Sequence, residues 1–298
     1  MRVGLVGLGN MGRPMAARMR AAGLALTVYD VRPDVAREVA AACDAVAAPS
    51  LAALASTSDV VVTMLPDGAT VRRAVLGPGD CLADGLTAGT IVVDMGSSSP
   101  TGTRALGQTL AARGVGMLDA PVSGGVRRAT DGTLTVMVGG DPALAARCEP
   151  LFDAVGTQRF ACGPLGAGHA MKALNNLASA AGLLIAGEAL LIGRRFGLDP
   201  ARMLEVLNAS TGRNHATEHK VAQFVLSRRF DAGFSLALMV KDLGTALDLP
   251  EDTGTPAAFA SECRALWARA AGELAPGADH TAVVRWLETL AGTTLGED

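Results

Sequence analysis

The chain has 298 residues, 49% hydrophobic and 18% charged, which excludes disorder and is long enough for two domains rather than one core. Lys and Arg number 26 against 29 Asp and Glu, a net charge of -3, and no basic run could track a phosphate backbone, which argues against nucleic acid as a partner. Aromatic residues reach only 3%, so base stacking is equally disfavoured, and the core is expected to consist of small aliphatic side chains on closely packed helices and strands.

Five cysteines, Cys43, Cys81, Cys148, Cys162 and Cys263, are scattered and odd in number, with no CxxC pair. That is no disulfide framework, and a reducing, cytoplasmic location is expected. Met1-Arg2 leads straight into Val3-Gly4-Leu5-Val6 and then a glycine loop, too short an apolar run for an export signal.

From the N-terminus to about Cys162, short β-branched runs alternate with Ala- and Arg-rich segments of helical period, the pattern of parallel βαβ units. Strands are predicted at 3–7, 26–30, 60–64, 91–94, 116–119 and 134–139. Beyond Cys162 apolar residues recur three and four apart over 170–194, 200–208, 239–247 and 256–271, which predicts an all-helical second half. Gly163-Pro164-Leu165-Gly166-Ala167-Gly168 separates the two regimes, giving expected domains of 1–162 and 163–298. The longest apolar stretch, 173–193, approaches membrane-spanning length but carries Asn175, Asn176, Ser179 and Glu188. Each is costly in hydrocarbon, so a helix buried in protein is expected, with no membrane partner.

Gly7-Leu8-Gly9-Asn10-Met11-Gly12 is a GxGxxG that follows a predicted strand and opens a helix ending near Gly23. The first glycine allows a tight turn, the second lets the backbone approach a pyrophosphate, and the third lets helix and strand pack closely. A purely structural turn is the alternative. Asp30, 18 positions after Gly12, ends the second strand, where a carboxylate can accept from ribose hydroxyls and repel a 2′-phosphate. This favours NAD, with NADP left open because Arg32 could accommodate the phosphate. An ordinary turn aspartate is the other reading of Asp30.

Met64-Leu65-Pro66 and Asp94-Met95-Gly96-Ser97-Ser98-Ser99-Pro100 end later strands and would face the ligand crevice of a doubly wound sheet, or serve only as loop and helix cap. Asp119-Ala120-Pro121-Val122-Ser123-Gly124-Gly125 places a hydroxyl before two glycines whose amides can turn together toward an anion. It reads as a carboxylate cradle or as a β-turn before the next strand. Lys172 and Asn176 are four apart at the start of the long apolar helix and so share one face. Desolvation brings a lysine toward neutral pH, which suits a proton donor and acceptor, whereas a lysine snorkelling at a helix end is the plainer reading. Lys241-Asp242 by itself reads as an exposed ion pair. His215 and His219 have helical spacing, but no HExxH pattern or third ligand accompanies them, so no metal is expected. His169 and His280 are expected at the surface or the domain junction.

Read jointly, GLGNMGRPMA over 7–16, DAPVSGG over 119–125, GAGHAMKALNN over 166–176 and KDL over 241–243 resemble the β-hydroxyacid dehydrogenase family, whose members include 3-hydroxyisobutyrate dehydrogenase and tartronate semialdehyde reductase. The resemblance covers nearly the whole chain, in the family's order and spacing. It implies an α/β fold: an N-terminal Rossmann-type, doubly wound, mostly parallel sheet, then an all-helical C-terminal domain for substrate and dimerisation. Association as a homodimer or homotetramer through the helices is implied too. Gly7, Leu8, Gly9, Asn10, Met11 and Gly12 would hold the pyrophosphate, Asp30 and Arg32 would lie at the adenosine ribose, and Leu65, Pro66, Thr70 and Ser97 would line the cofactor. Ser123, Gly124 and Gly125 would bind the substrate carboxylate, Lys172 would be the acid/base, Asn176 would orient it or the substrate oxygen, and Lys241 would reach toward cofactor and substrate. The implied reaction is hydride transfer between nicotinamide and a small 3-hydroxy acid or its semialdehyde.

The sequence departs from that pattern where Arg127 and Arg128 put two cations beside the proposed cradle, and at 208–220, including Arg213, Asn214 and His215, which matches no single activity. An imine reductase of the same architecture, in which this lysine is often lacking, and a non-catalytic nicotinamide-binding module are the alternatives. The helical second half does not suit a methyltransferase.

Overall fold

The computed structural model describes residues 1–296. Two compact units divide it, Met1–Lys172 and the remainder from Ala173 onward. The first carries a nine-stranded sheet: β1 (Arg2–Val6), β2 (Ala25–Tyr29), β3 (Val46–Ala47), β4 (Val60–Thr63), β5 (Ile91–Asp94), β6 (Gly116–Asp119), β7 (Val122–Ser123), β8 (Leu134–Gly139) and β9 (Gly156–Gly163). In space the order runs β3-β2-β1-β4-β5-β6-β8-β7, with β9 also on β8. The six strands from β3 to β6 are parallel, while β8 runs antiparallel to β6 and β7 and parallel to β9. The chain winds outward through β2 and β3, then returns to β4 on the other side of β1. That reversal opens a crevice beyond the C-terminal ends of β1 and β4.

Alternation along the strands builds two core layers, one on each face of the sheet. Val3, Leu5, Val60, Val62, Ile91 and Val93 join one layer, whereas Val6, Val61 and Val92 join the other. Helices α1 (Gly12–Ala21), α2 (Pro33–Cys43), α3 (Leu51–Ser56), α4 (Gly68–Leu76), α5 (Pro100–Ala111), α6 (Gly125–Asp131), α7 (Pro142–Arg147) and α8 (Glu149–Val155) follow the strands. Met15 and Met19 of α1, Val35 and Val39 of α2 and Phe152 of α8 fill the first layer. Leu54, Val71, Val75, Leu106 and Leu110 fill the second. Ser50, Asp67, Ser99 and Asp141 accept backbone amides at the starts of α3, α4, α5 and α7, the short-polar-residue caps that fix where a helix begins. Cys148 is buried in the first layer, and burial pushes its thiol up to about 12, so it packs as a small hydrophobe.

Helix α9 (Ala167–Phe196) begins in the first unit and continues into the second. The sequence boundary at 162/163 and the structural one at Lys172 differ because Asp119, at the end of β6, binds the backbone amides of Gly166 and His169 at 2.7 Å each. The second unit is helical throughout, with α10 (Pro200–Ala209), α11 (His215–His219), a π-helical turn Val221–Leu226, α12 (Leu236–Thr253), α13 (Ala258–Glu273) and α14 (Val283–Ala291). Leu183, Leu190, Leu243, Trp267, Trp286 and Leu287 meet in its core, and the Trp286 indole donates to Glu273 at 2.7 Å. Helix α9 is long and apolar enough to cross a membrane by length and composition, with half of that window buried. The helix expected to be buried in protein is so over half of that window, while Ile185, Ile192 and Phe196 are exposed.

His280, expected at the surface or junction, is buried beside Asp279, because the Nδ1 edge of its ring lies 3.2 Å from the carbonyl oxygen of Phe234. Asp279 accepts from the amides of Gly233, Phe234 and Thr281 and from the Thr281 hydroxyl. Burial alone would raise its pKa. Hydrogen bonds from the His280 ring and from Thr281 outweigh that and hold the carboxyl well below the usual carboxylate range. A depressed carboxylate stabilises the fold above its unfolded pKa of about 3.9 and loses that contribution as pH falls through the folded value. Asp279→Ala is expected to lower stability at pH 7 by about 2–3 kcal/mol by stranding amide donors. The gap to the native chain should narrow as pH drops below about 4, as read from thermal melts across pH.

Candidate active site

The glycine loop lies between β1 and α1, at the switch point. Gly7 sits at φ 97°, where a side chain is strained, and a Cβ there would press on the Met64 carbonyl and come within 3.0 Å of Leu65. At Gly12 a Cβ would collide with the carbonyl oxygen of Gly7. Gly9 differs: nothing lies within 4 Å of its Cβ position and it is exposed. The loop is thus locked at its ends and bare in the middle, beside a helix N-terminus without a side-chain cap. This ground fits a pyrophosphate, which needs close backbone approach and the positive end of a helix.

Asp30 directly follows β2 and accepts the Leu8 amide at 2.9 Å and the Arg32 amide at 3.0 Å, so it ties the end of the second strand to the glycine loop. The Arg32 guanidinium turns back onto the same carboxylate at 3.5 Å. Each carboxylate oxygen keeps a lone pair for a ribose hydroxyl. The loops after β4 and β5 touch each other: a Cβ on Gly96 would lie 2.7 Å from the Leu65 carbonyl, and one on Gly68 3.2 Å from Ser98. Gly7, Leu8, Asp30 and Leu65 are thereby brought together in the first unit. Pro66, Thr70 and Ser97 lie on the same two loops and the first turn of α4, where Asp67 caps the Thr70 amide at 2.7 Å.

Beneath these loops lies a buried polar cluster built on Asp94 and Ser98 of the segment expected to face the crevice or cap a helix. Asp94, at the end of β5, accepts from Thr63 and Gly96 at 3.0 Å and from Ser98 at 2.6 Å. His169, expected at the surface or junction, is 1% exposed, with Nδ1 2.9 Å from the Thr103 hydroxyl and Nε2 3.6 Å from Asp94. The Thr103 hydroxyl donates to the Ser99 carbonyl, which makes His169 Nδ1 the donor of their shared bond. Among the described residues its Nε2 has no hydrogen-bond partner. The histidine was missed because its burial comes from three separate strand ends and helix starts. The one available signal was its place three residues before Lys172.

Val122 and Ser123 pair with Val136 and Thr135 of β8, so the DAPVSGG segment is a short strand followed by a turn into α6 rather than a hairpin turn. Gly124 and Gly125 adopt φ values of 134° and 68° there, open to glycine alone at low cost. Lys172 is half-buried and Asn176 buried, one turn apart on α9. Asn176 donates to Asp242 at 2.6 Å, and Lys241 pairs with the other oxygen of that carboxylate at 3.0 Å. The exposed ion pair expected for Lys241-Asp242 is therefore corrected: Asp242 is 1% exposed and serves as an anchor for two polar side chains. His215 and His219 are exposed, their ring centres 5.0 Å apart. Arg127 and Arg128 are exposed on α6, and the stem of Arg128 lies against Gly124.

The two kinds of glycine separate folding from binding. Gly9→Ala is expected to leave the melting temperature within about 2 °C of native while weakening dinucleotide affinity at least about tenfold, since the new methyl occupies the anion's ground. Gly12→Ala is expected to destabilise the fold itself. Thermal melts and reduced-dinucleotide fluorescence titrations on both variants check this.

Comparison with known proteins matches this geometry. A family model described as the NAD binding domain of 6-phosphogluconate dehydrogenase matches residues 2–163, and one described as NAD-binding of NADP-dependent 3-hydroxyisobutyrate dehydrogenase matches residues 166–287. The chain is 34% identical to 2-(hydroxymethyl)glutarate dehydrogenase of Eubacterium barkeri, over 99% of this chain and 97% of that protein. It is 35% identical to a probable 3-hydroxyisobutyrate dehydrogenase of Mycobacterium tuberculosis, over 97% and 98%. The solved structure of the Mycobacterium tuberculosis 3-hydroxyisobutyrate dehydrogenase with L-serine superposes with a TM-score of 0.87 at 33% identity, covering 96% of this chain and 99% of that one. With its glycine loop at the switch point of a doubly wound sheet, the chain belongs to the β-hydroxyacid dehydrogenase family and is an NAD(P)-dependent dehydrogenase.

Proposed function

We propose that the enzyme interconverts a small 3-hydroxy acid and its semialdehyde, with Lys172 as the general acid/base. The observation that carries this reading is the pair of polar side chains on one face of α9, the Lys172 amine and the Asn176 amide, the latter held by Asp242. A nicotinamide dinucleotide held on the glycine loop and Asp30 would supply hydride exchange at C4. During oxidation Lys172 accepts the substrate's hydroxyl proton, and in reduction it gives that proton back to the carbonyl oxygen. Asn176 keeps a fixed orientation because its amide nitrogen is spent on Asp242, which leaves the amide group to orient the Lys172 amine or the substrate oxygen. Ser123, Gly124 and Gly125 hold the substrate carboxylate through hydroxyl and amide donors, and Lys241 adds a cation toward cofactor and substrate. Exposed Ile185, Ile192 and Phe196 on α9 support association of the helical halves into a homo-oligomer. Five free thiols suit a reducing, cytoplasmic setting.

Two measurements test this. Lys172→Ala is expected to lower kcat by about 100- to 10,000-fold, the usual worth of a positioned acid/base, with cofactor affinity changed less than about twofold. Native-like turnover on 3-hydroxyisobutyrate would reject the role. Asp30, already gripping Arg32, supports a preference for NAD over NADP. Asp30→Gly is expected to shrink the NAD/NADP ratio of kcat/KM by about tenfold or more, by removing the carboxylate that repels a 2′-phosphate. An unchanged ratio would overturn that preference.

A further inference from the structure

Arg127 and Arg128, the two cations by which the sequence departs from its family's pattern, lie within the first unit on α6, the helix that leaves the Ser123-Gly124-Gly125 turn. In that unit Arg2, Arg13, Arg20, Arg32 and Arg159 each close on a carboxylate. Among the described residues no carboxylate does so for Arg128, and no hydrogen bond engages its guanidinium or the Ser123 hydroxyl. Yet Arg128 does not wave in solvent. Its neighbour Ala129 is buried in the core, and its carbonyl accepts the Thr133 amide at 2.9 Å. Cβ and Cγ of its stem come within 2.7 and 3.0 Å of the point where a Gly124 side chain would begin, and Cδ comes closer still. Position 124 therefore requires glycine twice over, for its φ of 134° and for the stem that fills its side-chain space. At the next residue, Gly125, nothing lies within 4 Å of the Cβ position. A pinned apolar stem thus carries a fork of five N–H donors to open ground beside the Ser123 hydroxyl.

We propose that Arg128 is the charged member of the carboxylate cradle, its guanidinium binding the substrate carboxylate together with Ser123. This rests on the reading that Ser123, Gly124 and Gly125 hold that carboxylate. A hydroxyl and backbone amides are neutral donors, which orient an anion but leave its charge unbalanced. A guanidinium does both through two parallel N–H···O bonds. Packing of the stem on Gly124 fixes much of the side chain before substrate arrives, so less rotamer freedom is lost on binding. Arg127, one residue earlier and exposed, projects about 100° away around the helix and stands outside the cradle. The substrate class selected at this end is the ionised acid, against a neutral alcohol of the same shape that would leave the fork unmatched.

The test measures substrate and dinucleotide binding in Arg128→Gln, Arg128→Lys, Arg127→Gln and Ser123→Ala. Glutamine keeps three carbons over Gly124 while removing the charge and the fork, so its melting temperature should stay within about 2 °C of native. Arg128→Gln is expected to raise KM for 3-hydroxyisobutyrate by about tenfold or more, with kcat and dinucleotide affinity changed less than about twofold. The Ki of isobutyrate, which carries the carboxylate without the reacting hydroxyl, should rise by the same factor. Arg128→Lys should recover part of the loss, since it returns the charge without the fork. Arg127→Gln should change KM and Ki by less than about twofold. Unchanged KM and Ki in Arg128→Gln, a loss confined to dinucleotide affinity, or an equal rise in Arg127→Gln overturns the inference. Ser123→Ala separates the two readings: if it alone raises KM, the cradle stands without Arg128, and if neither variant does, both fall.

Discussion

Where α9 begins decides where its functional side chains lie, and the carboxylate of Asp119 sets that point. It is fully buried at the end of β6 and takes two charge-assisted bonds of 2.7 Å from the backbone of Gly166 and His169. Buried amides cannot go unmatched without a cost of about 1–3 kcal/mol each, so the helix start has one low-energy position. Neighbouring glycines make the seat tight: a Cβ at Gly139 or Gly168 would press into the Asp119 carboxylate. Lys172 follows one turn later, so the position of its backbone is inherited from that aspartate.

The same economy runs through the strand ends. Asp30, just past β2, and Asp94 and Asp119, which finish β5 and β6, each spend their oxygens on backbone or hydroxyl donors of a loop or helix start gathered at that edge. Parallel strands leave their C-terminal carbonyls and loops gathered at one edge, and a carboxylate there fixes a loop without needing a long side chain. His169 closes this network between Asp94 and Thr103, sealing the floor beneath the loops after β4 and β5. In the second unit Asp242 does for Asn176 and Lys241 what Asp119 does for α9. In both units a buried carboxylate fixes polar groups by taking their hydrogen bonds.

Much of this was legible in the chain. Strands at Ile91–Asp94, Gly116–Asp119 and Leu134–Gly139 match residue for residue, because strands buried inside the sheet are nearly continuous apolar runs bounded by turn residues. Strand β9 escaped because it lies at the sheet edge with mostly exposed residues and shows no apolar period. Helix α12 runs to Thr253, beyond the expected end at 247, since Pro250 sits inside it and reads locally as a stop. Helix α14 was unread although both its flanks carry clear signals, the Asp279 cap before it and Gly292 after it.

The sequence alone determined the alternation of the main strands and helices, the glycine loop and its dinucleotide, and the spacing that puts Lys172 and Asn176 on one face, because all three depend on residues close together in the chain. Tertiary structure alone decided which polar residues would be buried anchors. His169, Asp119, Asp242 and the Lys220–Ser179 contact join segments between 41 and 66 positions apart, and no local period records such a meeting. Backbone periodicity is written in neighbours, whereas the matching of a buried charge to its donors exists only once the chain has folded.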